Sequence, residues 1–153
     1  MIKSELSGSL KSLRDSVKKI SLIVPSGVEQ IRKVSSNILD ALASYDIDDD
    51  GLFDIKLCVE EAVRNAIVHG NKSNRKLSVR TVYWVDGEAL NIEIEDEGAG
   101  FNYKALRDPT KEENLLRNSG RGVYLIERLM DKVEFNDKGN KVKMTKFLGP
   151  KKI

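Results

Sequence analysis

The sequence contains little of several residue types that mark specialised classes of protein. It has one cysteine, Cys58, among 153 residues, so no internal disulfide can form and a reducing compartment is the simpler environment. Its 26 basic and 24 acidic residues leave a net charge of only +2, which attracts neither nucleic acid nor a membrane surface. No apolar run approaches the roughly 20 residues of a membrane helix, and the N-terminus lacks the apolar core of a signal peptide. These absences predict a cytoplasmic protein that binds neither membrane nor nucleic acid directly.

The residues that are present have the proportions of one folded domain. Hydrophobic residues make up 40% of the chain and charged residues 33%, which is usual for a globular domain of this length. Residues 1–18 are polar, weakly patterned and rich in Lys and Ser, so we interpret them as an N-terminal extension. The organised domain is predicted to span residues 19–148, followed by a short tail at 149–153.

Hydrophobic periodicity predicts a mixed order of strands and helices. The predicted order is a strand at 20–24, helices at 27–44 and 52–69, strands at 77–85 and 90–94, a loop at 97–119, a helix at 122–130, and strands at 133–135 and 141–147. Asp86-Gly87 is typical of a hairpin turn, and Ser26 to Glu29 matches a helix capping box. The lysines of the last strand are interpreted as those of a solvated edge. We therefore predict an α+β fold with helices on one face of a mostly antiparallel sheet.

The first candidate cluster lies near the end of the second predicted helix. Glu61, Asn65 and His69 follow one another at intervals of four residues, so they share one side of a helix. Mg²⁺ prefers oxygen ligands and takes few of them from protein, so the side-chain oxygen of Asn65 is a candidate ligand. Glu61 is placed to hold a water or to accept a proton from an attacking hydroxyl. The alternative interpretation is an ordinary solvated helix face.

The second candidate cluster is the run from Asp96 to Phe101, which directly follows a predicted strand. Two glycines in this run allow the backbone to turn and to lie close to a ligand. An aspartate at a strand end can accept a hydrogen bond from an amino group such as that of adenine. The alternative is a simple turn, in which Asp and Gly are common.

The third candidate cluster is the run from Ser119 to Val123, where a glycine-rich segment opens a predicted helix. The free N–H groups and the dipole at a helix N-terminus favour phosphate. The alternative is a flexible joint. All three clusters occur in an order that suits one nucleotide site: a metal-binding helix, an adenine-binding strand end, a long loop and a phosphate-binding helix.

Together the three clusters resemble the ATP-binding motifs of the GHKL superfamily. Glu61 to Gly70 resembles its N box, Asp96 to Phe101 its G1 box, and Gly120 to Gly122 its G2 box. The stretch from Gly120 to Phe135 is similar to the anti-sigma-factor serine kinases of bacterial partner-switching systems. The resemblance covers approximately residues 19 to 148.

This resemblance implies a Bergerat-type two-layer α/β sandwich that binds ATP or ADP with Mg²⁺. It implies Asn65 as the Mg²⁺ ligand, Glu61 as the catalytic base and Asp96 as the adenine anchor, with residues 101–119 as a lid over ATP. The remaining residues that it places at the nucleotide are Arg64, His69, Gly98, Gly100, Phe101, Ser119, Gly120, Arg121, Gly122 and Val123. Arg64 stands where several relatives have a small polar residue, and its cation can neutralise phosphate or alter the surface offered to a partner.

The resemblance also implies partners and an activity. Members of this family sequester a sigma factor and phosphorylate a serine or threonine on an anti-sigma-antagonist of the STAS fold, commonly as homodimers. An alternative is a nucleotide-dependent binding switch that sequesters its partner without phosphorylating it, and a simple ATPase is a further one. A two-component histidine kinase is disfavoured because the lone histidine, His69, lies within the N box.

Overall fold

The computed structural model describes residues 17–100 and 118–149. The strands are β1 (Ile20–Pro25), β2 (Ser78–Asp86), β3 (Ala89–Glu95), β4 (Lys132–Phe135) and β5 (Lys141–Phe147). The helices are α1 (Ile31–Ala41), α2 (Asp49–Arg64) and α3 (Asn118–Leu129), with a 3-10 turn at Val28–Gln30 before α1 and a π-helical segment at Asn65–Gly70 after α2. This order of strands and helices confirms the prediction from hydrophobic periodicity.

The five strands form one sheet in the order β1-β2-β3-β5-β4, and every neighbouring pair is antiparallel. The turn at Asp86-Gly87 joins β2 to β3 with Asp86 opposite Ala89, as the hairpin signal predicts. The prediction that the lysine-rich last strand is an edge was wrong. Because β4 is short and folds back along β5, the backbone of β5 is paired on both sides and β4 forms the edge.

Alternate residues of the strands point towards the helices and form one aliphatic core. The fully buried side chains of this core include Ile38, Ile55, Val59, Val63, Leu90, Ile92, Ile126 and Met144. Burying each such side chain stabilises the fold by about 1.5–3 kcal/mol. Cys58 belongs to the same core, and burial raises the pKa of its thiol to about 12. These contacts confirm the α+β fold with helices on one face of the sheet.

The opposite face of the sheet, which we call the open face, carries the intervening residues of the strands. The indole ring of Trp84 lies there, with the ammonium group of Lys19 4.2 Å from its centroid and that of Lys143 5.6 Å away. A cation over an exposed aromatic ring contributes about 0.5–1 kcal/mol. The three side chains therefore tie the start of β1 to β2 and β5.

The start of α1 differs from the prediction. Ser26 does not cap the helix, because its hydroxyl donates to the carbonyl of Leu77 at 2.7 Å, and no side-chain hydrogen bond caps the 3-10 turn. Glu29 instead pairs with Arg75, and this contact lowers the pKa of the Glu29 carboxyl to about 2. The capping-box prediction was therefore wrong, and the regular helix spans Ile31–Ala41 within the predicted range 27–44.

Helix α2 begins at Asp49, three residues before its predicted start. The side chain of Asp48 accepts the N–H of Gly51 at 2.8 Å, which satisfies one of the free donors at the helix N-terminus. Asp49 and Asp50 lie in the first turn, where their charges suit the helix dipole. Of the helices described here, none has the length and apolar character needed to cross a membrane.

Candidate active site

Buried polar side chains concentrate at one end of the sheet, which we call the site end. At this end Pro25 lies opposite Ser78, Arg80 lies opposite Glu95, and Glu95 lies opposite Lys141. The buried polar residues at this end and in the segments that adjoin it are Ser26, Asn65, Asn71, Asp96 and Asn140. Polar groups need hydrogen-bond partners when they are buried. The clustering of several such residues at one end of the sheet therefore indicates a functional site.

The helix that carries Glu61 widens just before the site end. From Asn65 the chain is π-helical, and the N–H of Asn71 donates to the carbonyl of Ala66 at 2.8 Å, five residues back. Single π-helical turns inside helices frequently occur at functional sites. Here the wider turn places Gly70, the last residue of the π-helical segment, against the carboxylate of Asp96.

Helix α3 approaches α2 closely at Gly122. A Cβ atom at this position would lie 2.8 Å from Oε2 of Glu61 and 3.4 Å from Nδ2 of Asn65. A side chain at position 122 would therefore displace the Glu61 carboxylate. The close approach brings together the first and third clusters that the sequence analysis singled out.

The two neighbouring glutamates of α2 have different surroundings. Ser35 of α1 donates its hydroxyl to Oε2 of Glu60 at 2.8 Å, so Glu60 is engaged in packing between helices. Glu61 points towards Gly122 and remains partly exposed. Only Glu61 of this pair is thus placed to act on a substrate beside α3.

Asp96 lies directly after β3 and is buried, with 3% of its surface exposed. Its Oδ1 accepts the N–H of Gly98 at 2.8 Å, and Asn140 binds its backbone through two hydrogen bonds of 2.9 Å. Burial raises the pKa of the Asp96 carboxyl, while the Gly98 N–H and the charge of Lys138 oppose that rise. The carboxylate is therefore a fixed acceptor in a largely dry setting.

Glycines allow the backbone segments around Asp96 to touch one another. A Cβ atom on Gly70 would overlap the Asp96 carboxylate, and a Cβ atom on Gly98 would overlap the carbonyl of Gly70. Gly100 has a φ of +80°, which side chains rarely permit, and its Cα lies against the carbonyl of Lys138. The second cluster is thus packed backbone against backbone onto the end of the π-helical segment and the β4–β5 turn.

The other predicted nucleotide contacts have varied positions. Arg64 and His69 are exposed. Loss of hydration on the protein side of the His69 ring, together with the positive charge of Lys72, lowers the pKa of its imidazole. Val123 is completely buried. Phe101 and the greater part of the predicted lid, through residue 117, lie outside the described residues, as does the predicted extension up to residue 16.

The glycine-rich run does not precede α3 but forms part of it. The helix already includes Asn118, the first residue described after position 117, instead of beginning at the predicted Gly122, so Ser119, Gly120 and Arg121 are helical. Glycine in a helix is less favourable than alanine by about 1 kcal/mol, so local propensity predicts a loop for this glycine-rich run. The close packing of Gly122 on α2 explains why glycine is nevertheless used there.

Three further residues shape this site and lie outside the predicted set of site residues. Ser26, Asn71 and Asn140 are all buried, and each is hydrogen-bonded to a segment distant in sequence. Asn71 directly follows the N-box pattern, and this position is the one feature of the local sequence that associates it with the site. Each has at least one partner that is 44 to 51 residues away along the chain, so no local pattern reveals these contacts.

Known proteins resemble this chain in sequence and in fold. The family described as "Histidine kinase-like ATPase domain" matches residues 24–146. The serine-protein kinases RsbW of Staphylococcus aureus strains JH9 and Newman are each 29% identical over 142 residues, which cover 88% of this chain and 89% of theirs. The crystal structure of the RsbU and RsbW domains of Rv1364c from Mycobacterium tuberculosis has the same fold, with a TM-score of 0.55 and 16% identity. That match covers 89% of this chain and 34% of the other. The chain belongs to the histidine kinase-like ATPase domain family.

Proposed function

We propose that this protein is an ATP-dependent serine/threonine kinase and anti-sigma factor. It phosphorylates a serine or threonine of a STAS-type anti-sigma-antagonist, and it sequesters a sigma factor while the antagonist is phosphorylated. The observation that carries the proposal is the approach of Gly122 to both Glu61 and Asn65. The kinase names of the Staphylococcus aureus relatives support the same activity.

The adenine end of ATP would bind at Asp96. Its buried carboxylate is held by Gly98 and is suited to accept a hydrogen bond from the exocyclic amino group. A hydrogen bond to a charged acceptor contributes about 1.5–3 kcal/mol. The glycines at 98 and 100 allow this segment to pack against the carbonyls of Gly70 and Lys138, which fixes the backbone that follows Asp96.

The phosphate end would bind between α2 and the first turns of α3. Asn65 would supply its side-chain oxygen to Mg²⁺, and the space that a Cβ atom at Gly122 would fill lies beside the Asn65 amide group, on its Nδ2 side. A bound Mg²⁺ would neutralise negative charge on the phosphates. The N–H groups at the start of α3 favour the same phosphates through the helix dipole.

Glu61 would act as the general base. As the oxygen of the substrate hydroxyl bonds to the γ-phosphorus, its proton passes to the Glu61 carboxylate and ADP leaves with the electron pair of the broken P–O bond. Glu61 is partly exposed and faces Gly122, so a protein substrate can reach it. Phosphoryl transfer depends mainly on positioning and charge neutralisation, and both are provided by these helices.

The decisive experiment compares Glu61→Gln with Glu60→Gln. Each protein is incubated with Mg-ATP and host lysate, phosphosites are mapped by mass spectrometry, and ADP affinity is measured by calorimetry. Loss of a general base lowers the rate by about 10²- to 10⁴-fold, so Glu61→Gln should lose the new phosphosite on a STAS-type protein and keep ADP affinity. Glu60→Gln should behave as the wild type, because Glu60 is engaged with Ser35.

The same experiment tests the alternative of a non-catalytic switch. Arg64 is exposed immediately before Asn65, so it offers a charged contact to a partner next to the nucleotide. Recovery of one partner by wild type and Glu61→Gln alike, with no phosphosite, would replace the kinase proposal with the switch. The expected homodimer and the cytoplasmic location remain predictions, and light scattering at several concentrations measures the first.

A further inference from the structure

The side chain of Asn71 is the centre of a buried hydrogen-bond cluster outside the predicted motifs. Its surface is 2% exposed. Its Nδ2 donates to Oγ of Ser26 at 2.8 Å and to the carbonyl of Ser78 at 3.0 Å. Its Oδ1 accepts the N–H of Glu97 at 2.8 Å. One amide group thus uses both its donors and its acceptor.

These three bonds join three parts of the site end. Ser26 follows β1, Ser78 begins β2, and Glu97 stands between the Asp96 anchor and Gly98. The hydroxyl of Ser26 accepts from Asn71 and donates onwards to the carbonyl of Leu77 at 2.7 Å, so the chain of bonds is complete. Satisfied buried networks of this kind hold one arrangement firmly, since any broken bond leaves a buried group without a partner.

The network fixes the path of the backbone immediately after Asp96. The N–H of Glu97 is directed towards Asn71, and the next N–H, of Gly98, is directed towards Oδ1 of Asp96. The carboxylate of Glu97 also accepts the N–H of Ser78, which holds the same residue from β2. The orientation of the Asp96 carboxylate therefore depends on where Asn71 holds Glu97.

We propose that Asn71 is a positioning residue that orients the Asp96 carboxylate and thereby sets a preference for adenine over purines without the exocyclic amino group. The inference rests on the proposed function, because it takes Asp96 as the acceptor of that amino group. Asn71 acts through Glu97 and Gly98 and has no contact with the nucleotide. It does not bear on phosphoryl transfer itself, which involves Glu61 and the α3 end.

The test measures the affinities for ATP and for inosine triphosphate, which lacks the exocyclic amino group. Asn71→Ala is compared with Asn74→Ala, a matched exposed asparagine of the same loop whose side chain accepts only the N–H of Lys76. Asn71→Ala should reduce the ATP-over-inosine-triphosphate preference by about tenfold, as expected for the loss of one well-oriented hydrogen bond. The transfer rate at saturating ATP should remain near that of the wild type, and Asn74→Ala should change neither quantity.

A purely structural role for Asn71 predicts a different result. If Asn71→Ala lowers the melting temperature but keeps the preference for ATP, the positioning role is overturned. If the wild type binds neither nucleotide, the proposed function itself fails and the inference with it. If only the inference fails, the wild type still binds ATP and the contradictory result is seen with Asn71→Ala alone. The two failures can therefore be distinguished.

A second variant covers the case in which Asn71→Ala does not fold. Ser26→Ala keeps Asn71 and its bond to Glu97 but removes one partner of its amide. The preference for ATP should then fall about two- to threefold, less than for Asn71→Ala, since one bond of the network is lost at a distance. An unchanged preference in Ser26→Ala, measured on a folded protein, would also overturn the positioning role.

Discussion

The two ends of the sheet are built on different physical principles. At the site end, side chains such as Asp96 and Asn71 are buried and hydrogen-bonded across distant segments. At the other end, which we call the hairpin end, the Asp86-Gly87 turn is exposed, and a cavity of about 570 Å³ opens between residues 46–55 and 146–148. Buried polar groups are costly unless fully paired, so the site end tolerates few changes, whereas water satisfies the polar groups of the hairpin end.

The largest expected effect is on ATP affinity, and it is tested by replacing one carboxylate at each end of the sheet. Asp96→Asn replaces the charged acceptor of the site end and should weaken ATP binding by about 10- to 100-fold, since a hydrogen bond to a charged group contributes about 1.5–3 kcal/mol. Asp86→Asn, at the exposed end of β2, is the matched control and should bind ATP as the wild type does. Calorimetric titration with ATP measures both. Equal affinities for the two variants would remove Asp96 from the nucleotide site.

The glycines at the two ends provide a second contrast. Gly98→Ala places a Cβ atom in the carbonyl of Gly70, and such overpacking costs about 1–3 kcal/mol of folding free energy. Gly87 has a φ of +62° with open space around it, and asparagine tolerates that conformation. Gly87→Asn should therefore change the free energy of unfolding by less than about 1 kcal/mol. Urea denaturation measures both, and a more stable Gly98→Ala would contradict the close contact.

The last expected effect is a dependence of ATP affinity on pH that originates at the site end. Burial raises the pKa of Asp96, so the folded protein without ATP gains stability from the protonated form, and this gain is lost as pH rises through that pKa. ATP binding needs the ionised form, so affinity should fall by up to about tenfold per pH unit as pH drops through the same pKa. Titrations between about pH 4 and 7 should show this fall in wild type and not in Asp96→Asn. A wild-type affinity independent of pH would show that the carboxylate is not the acceptor.

The sequence was sufficient for the order of the elements because their periodicity is local. Alternation in β2 and β3, with Asp86-Gly87 between them, predicted a hairpin that the register confirms. The start of α3 was misplaced because Gly120 and Gly122 favour a loop by local propensity, whereas packing on α2 decides the outcome. Tertiary packing therefore outweighed the helix propensity of glycine, which is less favourable than that of alanine by about 1 kcal/mol per residue.

Site residues that lie within a recognisable motif could be predicted from the sequence. Site residues whose role depends on partners distant in the sequence could not. Glu61 and Asn65 lie beside Gly122, so the fold brings together residues of the first and third motifs, whose roles at a nucleotide stay a prediction. Ser26 matched a capping box in the local sequence, yet its hydroxyl donates to Leu77. A serine beside a helix start has two possible acceptors, and only the fold determines which of them is near.

The placement of Trp84 has a consequence for optical measurements. It is the only tryptophan of the chain, and it lies on the open face between the ammonium groups of Lys19 and Lys143. The tryptophan emission of the protein therefore reports on a single location, where β1, β2, β3 and β5 run side by side in the sheet. Asp96 follows the far end of β3, since Trp84 lies opposite Asn91 rather than Glu95. A second protein that lacks tryptophan and covers the open face should therefore change this emission, without any label on either protein.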